Sequence, residues 1–375
     1  MLRNIAVIGA GVSGLTAGYA LKKIGLEVEI FERSKSIDAF GAGITLSKNA
    51  TLLLQDLDLM EVLSSKGHYP LGSFIRDYKK AKVIKFKTLD KNFITLDRRD
   101  LVLALSNRFE ELGGSIILDS EIESIDPASG EIIISTNEKK TYDLILICDG
   151  IKSSLREHYF DEQKPQFTKY VAWRGMTSIE NLPEFEGNDK VNVYYGPGGH
   201  CVHYPTGRGD LINFIAIEHN EIWSEESWKI KGNKSEFLNC FAGWNEELLS
   251  MFDSSQEIYK WGIFERPLPK KLYRDKCLLL GDAAHPMAPF LGQGGCLAIE
   301  DAYCLASLIK DKEDLNIIVR KYDRLRNSRS RWIQKRSKLQ GIFNHVSNPI
   351  LAKIRNLVTK IIMNNSVNKL HSYNL

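Results

Sequence analysis

The chain has no Cys-x-x-Cys pair. Its six cysteines, at 148, 201, 240, 277, 296 and 304, are scattered, which excludes the commonest zinc and thioredoxin-like patterns, and no metal site is expected. A disulfide framework is not expected in a chain of 375 residues, so a reducing, cytoplasmic setting is. No apolar run approaches the roughly 20 residues of a membrane-spanning helix. No signal peptide is read, because the first strand begins at about Arg3. An excess of one charge is missing too: 50 basic against 47 acidic residues leave +3, which does not suit a nucleic-acid binder. Internal repeats, low-complexity linkers and a second Gly-x-Gly-x-x-Gly are absent. What remains is 43% hydrophobic and 26% charged, the composition of a globular protein long enough for about two domains.

Residues 3–8 form a short apolar run, read as a buried parallel strand. A glycine turn follows, then a helix over 12–24 that stops at Gly25, then a strand over 27–31 that ends at Glu32. This is a complete β-α-β unit. The stretch 41–60 turns helical, and 98–112 has apolar residues at helical spacing before Gly113-Gly114. Strands are expected at 115–118, 131–136 and 143–148. From about 165 to 275 the texture changes to strand-like runs at 170–177, 191–196, 200–205 and 211–217, which predict an antiparallel sheet. A buried strand at 277–280, a glycine-rich loop and a helix over 294–309 follow. The expected architecture is α/β, a Rossmann-like dinucleotide domain over 1–165 and 276–320. An antiparallel-sheet substrate domain (166–275) is inserted in it, and a basic helical tail (321–375) follows.

Three motifs carry chemistry. In Gly9-Ala10-Gly11-Val12-Ser13-Gly14, the first glycine turns the chain out of the strand, the second lets a pyrophosphate approach and the third lets helix and strand pack closely. The helix N-terminus then offers N–H groups to phosphate. Glu32 stands 18 residues after Gly14, where an acid accepts from ribose hydroxyls. This motif does not separate NAD from FAD. Asp149-Gly150, continuing to Ser153 and Arg156, follows the strand DLILIC. An acid there sits where ligands bind in open α/β sheets, or else caps a helix. Gly281-Asp282, continuing through His285-Pro286 and Pro289 to Gly292-Gln293-Gly294-Gly295, again places an acid at a strand end and aims a helix N-terminus at the same place.

These motifs in this order, over about residues 3–310, resemble the FAD-dependent aromatic hydroxylases. These are the single-component flavoprotein monooxygenases of the p-hydroxybenzoate hydroxylase fold, and the closest texture is the salicylate and urate hydroxylase-like branch. Gly41-Ala42-Gly43-Ile44 with Asn49-Ala50, Arg98-Arg99-Asp100-Leu101, the stretch from Tyr170 to Gly175, and Trp261 with Arg266-Pro267 support the resemblance. It implies tightly but non-covalently bound FAD, held by Gly9, Gly11, Val12, Ser13, Gly14, Glu32, Arg33, Gly43, Ile44, Arg98, Asp149, Asp282, Gly292, Gly294 and Gly295. It implies NAD(P)H as a transient co-substrate and O2 as the oxidant. A C4a-hydroperoxyflavin would then oxygenate a small aromatic or heteroaromatic compound. Another FAD enzyme on this scaffold is the alternative, an epoxidase, a quinone-precursor hydroxylase or a reductase, or else a flavin-dependent binder without turnover.

Candidates for the substrate site are Arg174, able to pair with a carboxylate, His203, able to deprotonate a phenol, Trp173, Tyr194 and Phe214 as aromatic walls, and Pro289. Each has a plainer reading as core or interface. Period two places Cys201, His203 and Pro205 opposite His200, Val202 and Tyr204, and leaves open which face is the pocket. His285 is read as structural. In the tail, Leu351, Ile354, Leu357, Ile361 and Ile362 form one stripe with Lys353, Arg355 and Lys360 off it. It is expected to pack on its own protein, with a membrane surface as the less favoured partner.

Overall fold

The computed structural model describes residues 2–37, 42–182, 187–223, 230–362 and 370–371. Gly41 lies outside the described residues.

The apolar run near the N-terminus forms strand β1 (Asn4–Ile8), with Ile5 to Ile8 buried. Helix α1 (Val12–Lys23) is buried through its first ten residues. It stops at Gly25, which takes φ +87° and donates its N–H to the Lys22 carbonyl. Strand β2 (Glu27–Phe31) then pairs in parallel with β1. On the other side of β1 lies β11 (Leu144–Ile147), also parallel and entirely buried. Next to it lies β18 (Cys277–Leu279), parallel again. Together with β7 (Ser115–Ile117) and the antiparallel β17 (Tyr273–Arg274) they form a six-stranded sheet of order β17-β18-β11-β1-β2-β7. The consequence for the site is immediate. The chain leaves β1 at Gly9, β2 at Glu32, β11 at Asp149 and β18 at Gly281-Asp282, all along one edge of the sheet.

Helix α4 (Arg98–Glu111) packs on α1, and the Asp97 carboxylate caps it by accepting from the Arg99 N–H at 2.9 Å. Strands β3 (Gly43–Leu46) and β6 (Ile94–Asp97) pair antiparallel beside helices α2 (Lys48–Asp56) and α3 (Met60–Ser64). Strands β8 (Ile122–Asp126), β9 (Glu131–Ile134) and β10 (Lys139–Thr141) make a small meander. The short helix α5 (Ser154–Tyr159) follows β11, capped by Ser153.

The second large sheet has seven strands. It contains β12 (Gln166–Ser178), β13 (Val191–Gly196), β14 (Gly199–Thr206), β15 (Leu211–His219) and β16 (Ile258–Glu265). It also takes β4 (Gly72–Asp77) and β5 (Val83–Thr88) from the first part of the chain, in the order β16-β12-β15-β14-β13-β4-β5. The sheet expected over 166–275 is therefore completed by a hairpin about a hundred residues upstream. Two helices, α6 (Lys234–Cys240) and α7 (Glu246–Ser254), also fall in a stretch read from the sequence as strands only. Their Phe237, Phe241, Met251 and Phe252 pack on Trp173, Tyr194 and Phe214 of one sheet face. Truncating fully buried Trp173 to Ala is worth about 3–5 kcal/mol at such a site.

Helix α8 (Gly294–Lys310) packs on α1, and α9 (Leu315–Asn344) packs on α8. The α8–α9 contact holds a buried charge network. Arg326 pairs with Asp301 at 2.6 Å and with Glu300 at 2.9 Å, and Arg329 pairs with Glu300 at 2.9 Å. Helix α10 (Pro349–Ile362) ends the described helices. Its orientation reverses the expectation for the tail. Arg355 and Thr359 are buried, with Arg355 donating to the Asn344 carbonyl at 3.1 Å. Ile350, Leu351, Ile354, Leu357 and Ile361 are exposed. The inward side of α10 is held by hydrogen bonds and by Arg355 lying 4.8 Å from the Tyr195 ring centre, so the apolar side is left outward. Among the described residues no helix is long and apolar enough to cross a membrane, and no cluster of metal-ligating side chains occurs.

Candidate functional site

The glycine turn after β1 is built by sterics. Gly9 has φ +103°, and a Cβ there would meet the Cys148 carbonyl oxygen at 2.6 Å. A Cβ on Gly14 would lie 1.9 Å from the Gly9 carbonyl oxygen. Gly11 differs: nothing lies within 4 Å of a Cβ placed on it, and its φ of −79° suits any residue. The space in front of Gly11 is thus open beside the first N–H groups of α1, those of Val12 and Ser13, which have no acceptor within the helix. A pyrophosphate fits this cradle. Glu32 steadies the same turn, accepting from the Ala10 N–H at 2.8 Å and the Ser34 N–H at 2.9 Å. Arg33 beside it is exposed.

Asp149 follows β11. Its Oδ1 is buried with no hydrogen-bond partner among the described residues. Burial raises its carboxyl to about 6, against the lowering effect of Ser153 and of the nearby Arg33 and Arg266. An orphaned acceptor at a strand end is what a hydroxyl-bearing ligand satisfies. Arg156, fully buried, has a different task. Its Nη1 donates to the carbonyls of Ala283 and Ala284 at 3.0 and 2.9 Å, tying the second motif to the third.

Asp282 is exposed on the wall of a cavity. The surrounding protein raises its carboxyl above the ordinary range, while His285 and Arg98 pull it down. Arg98 begins α4, and its N–H donates to the Ala42 carbonyl at 2.8 Å. Its guanidinium is lowered by burial and supported by Asp282. His285 is set by Asp301, whose Oδ2 lies 2.6 Å from Nε2 and also accepts from the Gly281 N–H at 2.9 Å. The histidine is fully buried, in keeping with a structural role. Gly292 takes φ +61° and leads into Gly294 and Gly295 at the start of α8. Gly295 lies against Ile44 of β3: a Cβ there would be 2.8 Å from the Ile44 side chain.

The cavity beside Asp282 has a volume of about 230 Å³. Ala42, Gly43, Ile151, Lys152, Asp282, Pro286, Met287 and Pro289 line it from one unit. Arg174, Tyr204, Asn213, Ile215, Trp261 and Phe264 line it from the seven-stranded sheet. Asn213 bridges the two, its Oδ1 accepting from the Gly43 N–H at 2.7 Å. A larger cleft of about 450 Å³, between Thr51, Gln55, Met60 and Ser64 on the outer side of α2 and α3, holds none of the motif residues.

Strand register shows which sheet face lines the cavity. Arg174 pairs with Ile215, and Asn213 pairs with Tyr204. Directly opposed residues share a face, as do residues two apart, so these four point together into the cavity. Of the candidates from sequence, Arg174 and Pro289 are there. Trp173, Tyr194 and His203 are not: they alternate onto the opposite face. Trp173 packs on Phe237 with ring centres 5.1 Å apart, and Tyr194 stacks on His203 at 5.7 Å. Phe214 borders the cavity, but its ring stacks on Phe237 at 5.7 Å and 4°, so it is core. Burial, helped by Arg76, pushes His203 down to about 3, and it is walled off from the cavity. Sequence reasoning missed Asn213, Met287 and Lys152. The signal for Asn213 was there, as the single amide in the apolar strand LINFIAI.

Arg174 is buried and lies 4.8 Å from the Trp261 ring centre. Burial and the repulsion of Arg98 bring its guanidinium down to about 10, against Tyr204 and Tyr259. The charged groups at the cavity are therefore Arg174 and Lys152 against Asp282.

A family model described as an FAD binding domain matches residues 3–313. A 3-amino-4-hydroxybenzoate 2-monooxygenase of Streptomyces platensis is 29% identical over 352 residues, covering 90% of this chain and 87% of that protein. A 6-hydroxynicotinate 3-monooxygenase of Pseudomonas fluorescens is 26% identical over 325 residues, covering 82% and 83%. Among solved structures, a salicylate hydroxylase substrate complex superposes with a TM-score of 0.85 at 22% identity, covering 100% of this chain and 96% of that one. Klebsiella pneumoniae HpxO, complexed with FAD and uric acid, gives 0.84 at 21% identity, covering 95% and 92%.

Proposed function

Given that the chain belongs to the FAD-binding-domain family, we propose that it is an NAD(P)H- and O2-dependent monooxygenase that hydroxylates a small aromatic or heteroaromatic anion in the cavity between Asp282 and Arg174. The enzyme class, FAD-dependent monooxygenase, follows from the family and from its relatives. The assignment of residues and the anionic character of the substrate are the present reading.

Bound FAD supplies hydride acceptance from NAD(P)H and activation of O2. The chain supplies the rest. Gly11, Val12 and Ser13 receive the pyrophosphate at the α1 N-terminus. Glu32 and Asp149 stand at strand ends where they accept from hydroxyls. Asp282 and Arg98, close enough to act on each other electrostatically, would hold the polar chain of the cofactor. Gly43, Ile44 and the 292–295 turn close the cofactor side of the cavity. On the other side, Arg174 offers a planar, charged donor pair to a carboxylate, phenolate or deprotonated ring nitrogen. Trp261 holds the guanidinium from behind and, with Phe264, Met287 and Pro286, keeps water away from the reacting centre.

The observation that carries the reading is the shared cavity. An acid from the Gly-Asp motif and a buried arginine from the second sheet line one space of a size for a small ring. The test is a screen of aromatic acids and N-heterocycles for stimulated NADH or NADPH oxidation, with mass analysis of the product. A gain of one oxygen atom supports the proposal. Stimulation without any oxygenated product across the screen refutes it, and would favour another FAD reaction on this scaffold.

A further inference from the structure

Helix α10 is set the wrong way round for a helix that ends at water. Its stripe of Ile350, Leu351, Ile354, Leu357 and Ile361 is between 52% and 71% exposed, whereas Arg355 and Thr359 on the other side are buried. Helices on globular proteins bury the apolar stripe and expose the polar one. The reversal is held in place. Arg355 donates to the Asn344 carbonyl and to Asn356 Oδ1, each at 3.1 Å, and Lys85 of β5 donates to the Lys360 carbonyl at 3.1 Å. The Leu339 and Ile342 side chains of α9, just before the turn into α10, are exposed as well. A run of outward aliphatic side chains this long marks a surface that something covers.

The charge around it selects the partner. Residues 324–375 contain eleven Lys and Arg and no Asp or Glu. Lys353 and Lys360 flank the stripe on α10 itself, and Arg331, Lys335 and Arg336 are exposed on the second half of α9. A second copy docked face to face would bring two stripes flanked by lysines together, with no acid from this region to answer them. An anionic lipid surface answers both features, taking aliphatic side chains into the acyl boundary and lysines at the headgroups.

We propose that α10 is an in-plane docking helix by which the protein binds reversibly to an anionic lipid surface. The docking needs no membrane-crossing segment. It is independent of the chemistry at the cavity.

The experiment uses the FAD-loaded protein and vesicles of phosphatidylcholine alone or mixed with phosphatidylglycerol. Sedimentation should show binding to the anionic vesicles, weakened as salt rises, and little binding to the neutral ones. The double variant Ile354→Gln, Leu357→Gln should lower partitioning at least roughly 30-fold through the loss of two inserted aliphatic side chains, with FAD occupancy unchanged. The pair Lys353→Gln, Lys360→Gln should reduce it less and flatten the salt dependence. No binding to anionic vesicles at low salt overturns the proposal, as does binding that the Ile354→Gln, Leu357→Gln variant leaves intact. A dimer in lipid-free solution that this variant converts to monomer also overturns it, and would give the face to a second copy.

Discussion

Two glycines of the same motif should fail in opposite ways when replaced by alanine. A methyl on Gly14 would lie 1.9 Å from the Gly9 carbonyl oxygen and 3.1 Å from Val7, so α1 must move away from β1. Overpacking of this kind costs about 1–3 kcal/mol, and more where backbone is struck. Gly14→Ala should therefore lower the stability of the cofactor-free protein. Gly11 has open space in front of it and φ −79°, so Gly11→Ala should leave that stability within about 0.5 kcal/mol. If the open space is the pyrophosphate cradle, the same methyl meets the cofactor, and about 1–3 kcal/mol becomes a loss of roughly 5- to 150-fold in FAD affinity. Thermal unfolding of apoprotein and titration of released-flavin fluorescence read the two effects separately. Unchanged FAD affinity for Gly11→Ala would refute the cradle, and an unstable Gly11→Ala apoprotein would refute the steric account.

The Asp149 carboxyl is raised from 3.8 to about 6 by burial. The folded state thus holds the proton more tightly, and this group costs stability progressively from about pH 4 to 6 and fully above that. Asp149→Asn should accordingly stabilise the apoprotein by about 1–3 kcal/mol at pH 7–8, with the gain vanishing below about pH 4 in denaturant titrations, and a gain independent of pH would refute the assignment. Arg174→Ala should lower kcat/KM for an anionic substrate by roughly 10- to 150-fold, the worth of a hydrogen bond to a charged group, while FAD affinity stays unchanged; equal loss for neutral analogues would remove the anion from the account. Arg326→Met removes the arginine from Asp301 and one of the two arginines from Glu300 in a buried network, and should destabilise the fold by about 3–5 kcal/mol in urea unfolding. A substrate that fits the cavity should raise NAD(P)H oxidation at least about tenfold, a barrier change of only about 1.4 kcal/mol, and stopped-flow reduction that is equally fast with and without it would show that substrate does not control the step.

What could be read in the sequence was local. The glycine loop, Glu32 and the acids at 149 and 282 each depend on a strand and the few residues after it. Their convergence follows once β1, β11 and β18 are placed side by side. The substrate face could not be read that way. Alternation sorts Arg174 from Trp173 but both sides of the seven-stranded sheet are buried, one under α6 and α7 and the other against the cofactor unit. An aromatic wall was therefore expected on the side that holds only core. Strand β4 joins β13 through a pairing that spans more than a hundred residues, from Ser73 to Val191, and no local pattern announces such a partner. The tail stripe was visible as a period, but its direction is set by Arg355 and its contacts with Asn344 and Tyr195, which hydrophobic spacing ignores.

The most direct test of the account is the fate of molecular oxygen. FAD-loaded protein, given NAD(P)H, isotopically heavy O2 and an aromatic acid that stimulates turnover, should yield a ring-hydroxylated product carrying one heavy oxygen atom, in amounts matching the oxygen consumed, and Arg174→Ala should slow its formation from the acid by the factor given above. Turnover that consumes oxygen but places the heavy label only in hydrogen peroxide or water, for every stimulating compound, would contradict the claim that this cavity hydroxylates a small aromatic anion.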